Sequence, residues 1–125
     1  MFDRCLVADI LCQVAWSLDQ IAKRFSVIHA FADFIKDDQE REKLDSICMQ
    51  LIAIGEALKQ IDKLAGPAFL ANYSSVDWKK AIGLRDIITH HYFDIDAETV
   101  FTVCSEHLPE MRVAIRRIVA ELEEQ

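Results

Sequence analysis

The eight residues Arg85-Asp86-Ile87-Ile88-Thr89-His90-His91-Tyr92 put a guanidinium, a carboxylate, two imidazoles and a phenol at what reads as the end of one helix. Imidazole exchanges a proton near neutral pH and so can serve as a general acid or base. The forked, permanently charged guanidinium suits the oxygens of an anion such as phosphate. At about 100° per residue Arg85 and Tyr92 share a face, whereas His90 falls roughly 140° round from Arg85. Arg85 and His90 therefore act on one substrate only if the helix is ending at His90 or if the site is shared between two subunits. Asp86 stands four residues before His90 on nearly the same face, where its carboxylate can accept a hydrogen bond from the imidazole and orient the ring. Taken alone, the stretch also admits a structural reading, in which His91 packs between helices, Arg85 and Asp86 are solvated and Tyr92 covers the end of a bundle.

The elements that must hold this segment are helices. Val7, Leu11, Val14, Leu18, Ile21 and Phe25 draw one apolar stripe along a helix from about Phe2 to Phe25. A second stripe, Leu44, Ile47, Leu51, Ile54, Leu58 and Ile61, runs on a helix that ends near Ala65, before Gly66-Pro67. Gly55 inside it costs about 1 kcal/mol against alanine, which points to the close approach of another backbone. Ser26 to Lys36 reads as a short helix and Gly66 to Ser75 as a loop. The third long element then starts near Val76, capped by Ser74 or Ser75, carries Trp78, Ile82 and Ile88, and ends near Tyr92. Asp94 or Asp96 caps a fourth, and Pro109 opens a fifth through Met111, Ile115, Ile118 and Leu122. These predict an all-α, up-and-down bundle of four or five helices with two long antiparallel ones, in one domain over 1–125. The same stripes would also suit a coiled coil or a helical dimer interface.

Composition limits the alternatives. With three glycines and two prolines in 125 residues, turns are too scarce for a sandwich or barrel of short strands. Asp3, Arg4, Asp9 and Gln13 break up the first apolar segment, so neither secretion nor a membrane span is expected, and a cytoplasmic protein is. A net charge of -7 works against casual nucleic-acid binding, so any RNA site must be local. Lys79, Lys80 and Arg85 cluster in the third helix and Arg112, Arg116 and Arg117 in the last, a pattern common on solvated helix surfaces. Cys5 and Cys12, two helical turns apart at about 10 Å, cannot bond each other. Cys104 and His107 face the same way, but nothing nearby completes a metal site, so buried, reduced cysteines and no cofactor are expected.

Arg85-x4-His90-x-Tyr92 resembles the motif of HepT-type proteins in the HEPN class, with a polar residue after the arginine as in that motif. Ile54-Gly55-Glu56-Ala57 and Tyr92-Phe93-Asp94-Ile95-Asp96, followed by Val100-Phe101, extend the likeness over nearly the whole chain. Two departures stand out: Asp86 replaces an asparagine frequent in the class, and Ser75-Val76-Asp77-Trp78 lacks a proline often found before the tryptophan. The resemblance implies a metal-independent endoribonuclease, the toxin of a type II toxin-antitoxin pair. It acts on RNA and not DNA, and its partner is an MntA-type nucleotidyltransferase antitoxin that silences it by AMP transfer to Tyr92. Arg85 and His90 would be catalytic, with Arg85 holding the phosphate, and Asp86 supporting. A homodimer with the third helices facing each other follows from the mismatch in phase, and a larger complex with the antitoxin stays open. Glu56 receives no catalytic role and is either a buried partner for an arginine or exposed. The alternative is a non-catalytic accessory or substrate-binding subunit of a nucleotidyltransferase.

Overall fold

Helix starts in this chain are set largely by aspartate. In the computed structural model, which describes residues 2–124 without the side chain of Tyr92, Asp3 accepts the Leu6 N–H at 3.0 Å and so caps α1 (Arg4–Phe25). Asp37 accepts the Glu40 N–H at 2.8 Å and caps α2 (Asp38–Ala65). Between them runs a 3₁₀ turn, Phe31–Ile35, shorter than the helix expected over Ser26 to Lys36. Phe34 of this turn is fully buried, and its ring packs on Phe25, whose ring also meets Phe101.

Gly66 ends α2 at φ 90°, a conformation open to glycine, and Pro67 starts the five-residue α3 (Pro67–Ala71) inside the expected loop. Leu70 buries and Phe69 packs edge-on to Phe2, which holds so short a helix in place. Next comes α4 (Trp78–His90), and then a 3₁₀ turn, Tyr92–Asp94. Asp96 caps α5 (Ala97–Thr102), which does not stop before the last helix. It passes through a π-helical turn, Val103–His107, straight into α6 (Leu108–Glu123). The fourth and fifth expected helices are thus one interrupted helix. Pro109 has no N–H to give and its ring would clash with the carbonyl four residues back, and the wider π turn accommodates both effects.

The stripes of α1, α2 and α6 meet in one core. Val7, Leu11, Leu18, Ile21, Ile47, Leu58, Ile61, Ile115 and Ile118 are all buried there. Helix α2 lies at the centre, with α1 on one side and α4 on another, and α6 packs on α1. Among the described residues there is no strand, and the architecture is the all-α bundle expected, its two long helices α1 and α2 packed together. By length and composition α1 is apolar enough to cross a membrane. In the fold, however, its stripe is spent against α2 and α6.

Candidate functional site

Two devices seat α4. Asp77, and neither Ser74 nor Ser75, caps it by accepting the Lys80 N–H at 3.1 Å. The buried Trp78 then donates its indole N–H to the Tyr73 carbonyl at 2.9 Å, pinning the preceding loop to the helix start. Farther along, Ile88 is buried in the core and Ile82 packs against it. At the crossing with α2 the helices nearly touch. A Cβ on Gly55 would stand 2.7 Å from Arg85 Cβ and 3.4 Å from the Ala81 carbonyl oxygen. Gly55 is therefore the close approach that its place in the sequence suggests, and the backbone it admits is the one carrying Arg85.

The Arg85 guanidinium reaches back across that crossing. Its Nε pairs with Glu56, one residue beyond Gly55, and its Nη1 donates to Asp86 Oδ1 at 2.8 Å. The side chain keeps 29% of its surface in solvent, so an anion can approach the fork. Glu56 is a partner for an arginine but is not buried, with 52% of its side chain exposed. The expected Asp86 to His90 contact is replaced by this Arg85 pairing. The neighbouring guanidinium outcompetes an imidazole one turn away because it brings a permanent charge.

His90 is the last residue of α4 and is exposed. His91 leaves helical geometry at φ -125° and ψ 33°, and it too is exposed rather than packed between helices. The helix does end at His90, yet it stays regular from Arg85 to that point. The two are about 7.5 Å apart along the axis and roughly 140° round it. One copy of the chain does not bring them side by side. The Tyr92 side chain lies outside the described residues, so its placement relative to Arg85 is not part of this geometry.

Helix α4 rests on α2 and the turn that follows it, and among the described residues it has no comparable contact with α1 or α6. One flank of α4, facing α2 and α6, bounds an apolar groove of about 440 Å³, lined by Leu51, Ile54, Ala81, Leu84, Ile87 and Met111 among others. Ile87 is 59% exposed there. Cys48 and Cys104 are buried free thiols, pushed up by burial to about 11 and about 12, while Cys5 and Cys12 are exposed. Among the described residues no three His, Cys, Asp or Glu side chains gather as a metal site would require. The basic residues of α6 are not simply solvated. Arg112 and Arg116 both pair with Asp19, and Arg117 with Glu121. Asp19 lies 93 and 97 residues from its two partners and leaves no local signal in the sequence, whereas Arg117 and Glu121 are a local pair four residues apart on one helix.

A family model described as "Ribonuclease HepT-like" matches residues 14–118. The chain belongs to the HepT-like ribonuclease family. A protein of Methanocaldococcus jannaschii, provisionally named an RNase, is 30% identical over 93 residues, covering 74% of this chain and 71% of the relative. Another of the same provisional name, from Caldanaerobacter subterraneus, is 29% identical over 90 residues, covering 72% and 74%. No solved structure matches the chain. The matched residues 14–118 include all of α2 and α4.

Proposed function

We propose that the protein is a metal-independent endoribonuclease whose site is the C-terminal half of α4. Arg85 holds the scissile phosphate, and His90 accepts the ribose 2′-hydroxyl proton or returns one to the leaving oxygen. The freed 2′-oxygen attacks phosphorus, the bond to the 5′-oxygen breaks, and that oxygen leaves with a proton. The observation that carries this reading is Arg85 itself: fixed at the Gly55 crossing, reachable from solvent, and followed five residues on by an exposed imidazole. Asp86 supports the arginine and not the histidine. The phase between Arg85 and His90 favours a homodimer in which α4 of each copy faces the other and each cleft takes one residue from each chain. The exposed Ile87 and the sparse packing of α4 suit such a contact.

On the same reading the protein is a single cytoplasmic domain and the toxin of a toxin-antitoxin pair. Its partner, a nucleotidyltransferase, transfers AMP to Tyr92. The phenol oxygen gives up its proton and attacks the α-phosphorus of ATP, and pyrophosphate leaves, which adds a phosphate anion able to compete with RNA for a guanidinium. Incubation of the purified protein with total RNA tests the core of the proposal. Cleavage should persist in a chelator and be lost in Arg85→Ala and in His90→Ala, and cleavage by His90→Ala would refute it. A mass increase of AMP units on co-expression, absent in Tyr92→Phe, tests the switch.

A second reading, a non-catalytic accessory subunit of a nucleotidyltransferase, is favoured by one observation: Arg85 is held between two carboxylates in a chain of net charge -7. It predicts RNA left intact by the wild type and a stable complex with the partner.

A further inference from the structure

On the side of α1 that meets α6, a shallow, open dish is lined by Trp16, Asp19, Gln20, Lys23, Arg112 and Arg116 among others. Its charges run against the molecule. Three cations stand over one carboxylate, an excess of two positive charges, on a chain of net charge -7. Trp16 is 59% exposed at its edge, an indole face that no core position requires. Asp19 Oδ1 accepts from Arg112 Nη2 at 2.7 Å and from Arg116 Nη2 at 3.1 Å, so one carboxylate holds two guanidiniums side by side. Arg112 Nε is buried with no hydrogen-bond partner among the described residues. An unsatisfied charged donor calls for an acceptor, and an anion drawn to Arg112 supplies one after a small rotation of the fork.

We propose that this dish is a second contact for single-stranded RNA, in which Trp16 stacks on a base while Lys23, Arg112 and Arg116 meet the backbone phosphates. A flat π face beside paired guanidiniums is the combination that single-stranded nucleic acid uses, because every base offers a face to stack and every linkage a phosphate. An acidic peptide would use the cations but leave the indole without a role. That the polymer is RNA rests on the ribonuclease reading. The dish is built from α1 and α6, away from the α4 segment, so it would bind and hold the strand without taking part in cleavage.

The test is anisotropy of a labelled 2′-O-methyl oligouridylate, which cannot be cleaved through its 2′-oxygen, titrated with the full-length protein. Trp16→Ala should weaken binding at least about fivefold, the lower end for one stacked base. Three phosphate contacts on a single strand give a slope of about -2 in log affinity against log salt, and Arg116→Glu should reduce it by about 0.7 or more. Lys59→Glu, an exposed charge on α2 outside the dish, should bind as the wild type does. Binding that is unchanged in both Trp16→Ala and Arg116→Glu overturns the proposal. So does polyglutamate that competes as well as RNA, which would mark an acidic-peptide surface. Both substituted side chains are exposed, and melting curves matching the wild type confirm an intact fold. If unmodified RNA survives intact while the methylated strand binds through Trp16, the dish stands and the ribonuclease reading falls.

Discussion

Gly55→Ala places one methyl group where α2 and α4 cross, and the structure allows its effect to be worked out. The new Cβ meets Arg85 Cβ at 2.7 Å, and that atom cannot swing aside because it is fixed to the α4 backbone. Alanine in a helix interior gains about 1 kcal/mol over glycine, and overpacking a closed contact costs about 1 to 3 kcal/mol. The net change runs from near zero to a loss of about 2 kcal/mol, or a fall in melting temperature of several degrees for a chain of this length. Stability is thus a weak readout and activity a strong one. Relief of the clash moves α4, and with it the guanidinium paired to Glu56, and a displacement of about 1 Å at a site of this kind can cost about 100-fold in rate. Urea titration and RNA cleavage should be measured together, in the wild-type background and with residue 85 changed. Arg85→Ala keeps the obstructing Cβ, so its stability effect should add to that of Gly55→Ala. Arg85→Gly removes the obstruction, so the two should couple favourably. A Gly55→Ala protein stabilised by the full 1 kcal/mol or so, with unaltered cleavage, would refute the close-approach argument.

The buried thiols give a second expectation. A thiol reagent near neutral pH should modify two cysteines rapidly, Cys5 and Cys12, and all four only on denaturation, because burial holds Cys48 and Cys104 in the thiol form at about 11 and about 12. Three or four fast equivalents in the native protein would contradict it. Asp19 provides the pH prediction. The hydrogen bond from Arg112 is the main cause that lowers its pKa, so its contribution to stability is present above the ordinary carboxylate range. That contribution is lost as pH falls through the depressed folded value. Denaturant midpoints measured across the acid range should fall less steeply for Asp19→Asn than for the wild type, and identical acid limbs would count against the pairing.

What the sequence made legible follows from period and charge. The stripes of α1, α2 and α6 repeat every three or four residues because each faces one core, and every stripe position in α2 and in α6 is buried. Shorter range signals were ambiguous. Ser74, Ser75 and Asp77 can all cap a helix, and only the docking of Trp78 on the Tyr73 carbonyl decides for Asp77. Five residues are too few to show a period, so α3 was indistinguishable from a loop. Proline near a helix start and proline after a π turn look alike in one dimension, and so α5 and α6 read as separate helices. Gly55 was legible as a close approach, while the partner of Glu56 was not, because it depends on how α2 crosses α4.

The separation of Arg85 from His90 gains meaning from how α4 is held. A helix buried on several sides could not offer a guanidinium and an imidazole to one strand from faces about 140° apart, since one of them would point into the core. Helix α4 instead leans on α2 through the Gly55 crossing and Ile88, and the rest of its circumference is solvent or the open groove beside Ile87. Both Arg85 and His90 are therefore reachable, though not from one direction. A second copy of α4 laid against the first would supply the missing direction and cover Ile87, completing the site and closing the apolar groove's edge in the same contact. Mixed dimers separate this from independent sites. If Arg85→Ala and His90→Ala protomers, each inactive, are combined, a shared cleft regenerates one intact site per heterodimer, or about a quarter of wild-type activity after random exchange of equal amounts. Two self-contained sites regenerate none, and a mixture that stays inactive after verified exchange would remove the shared cleft.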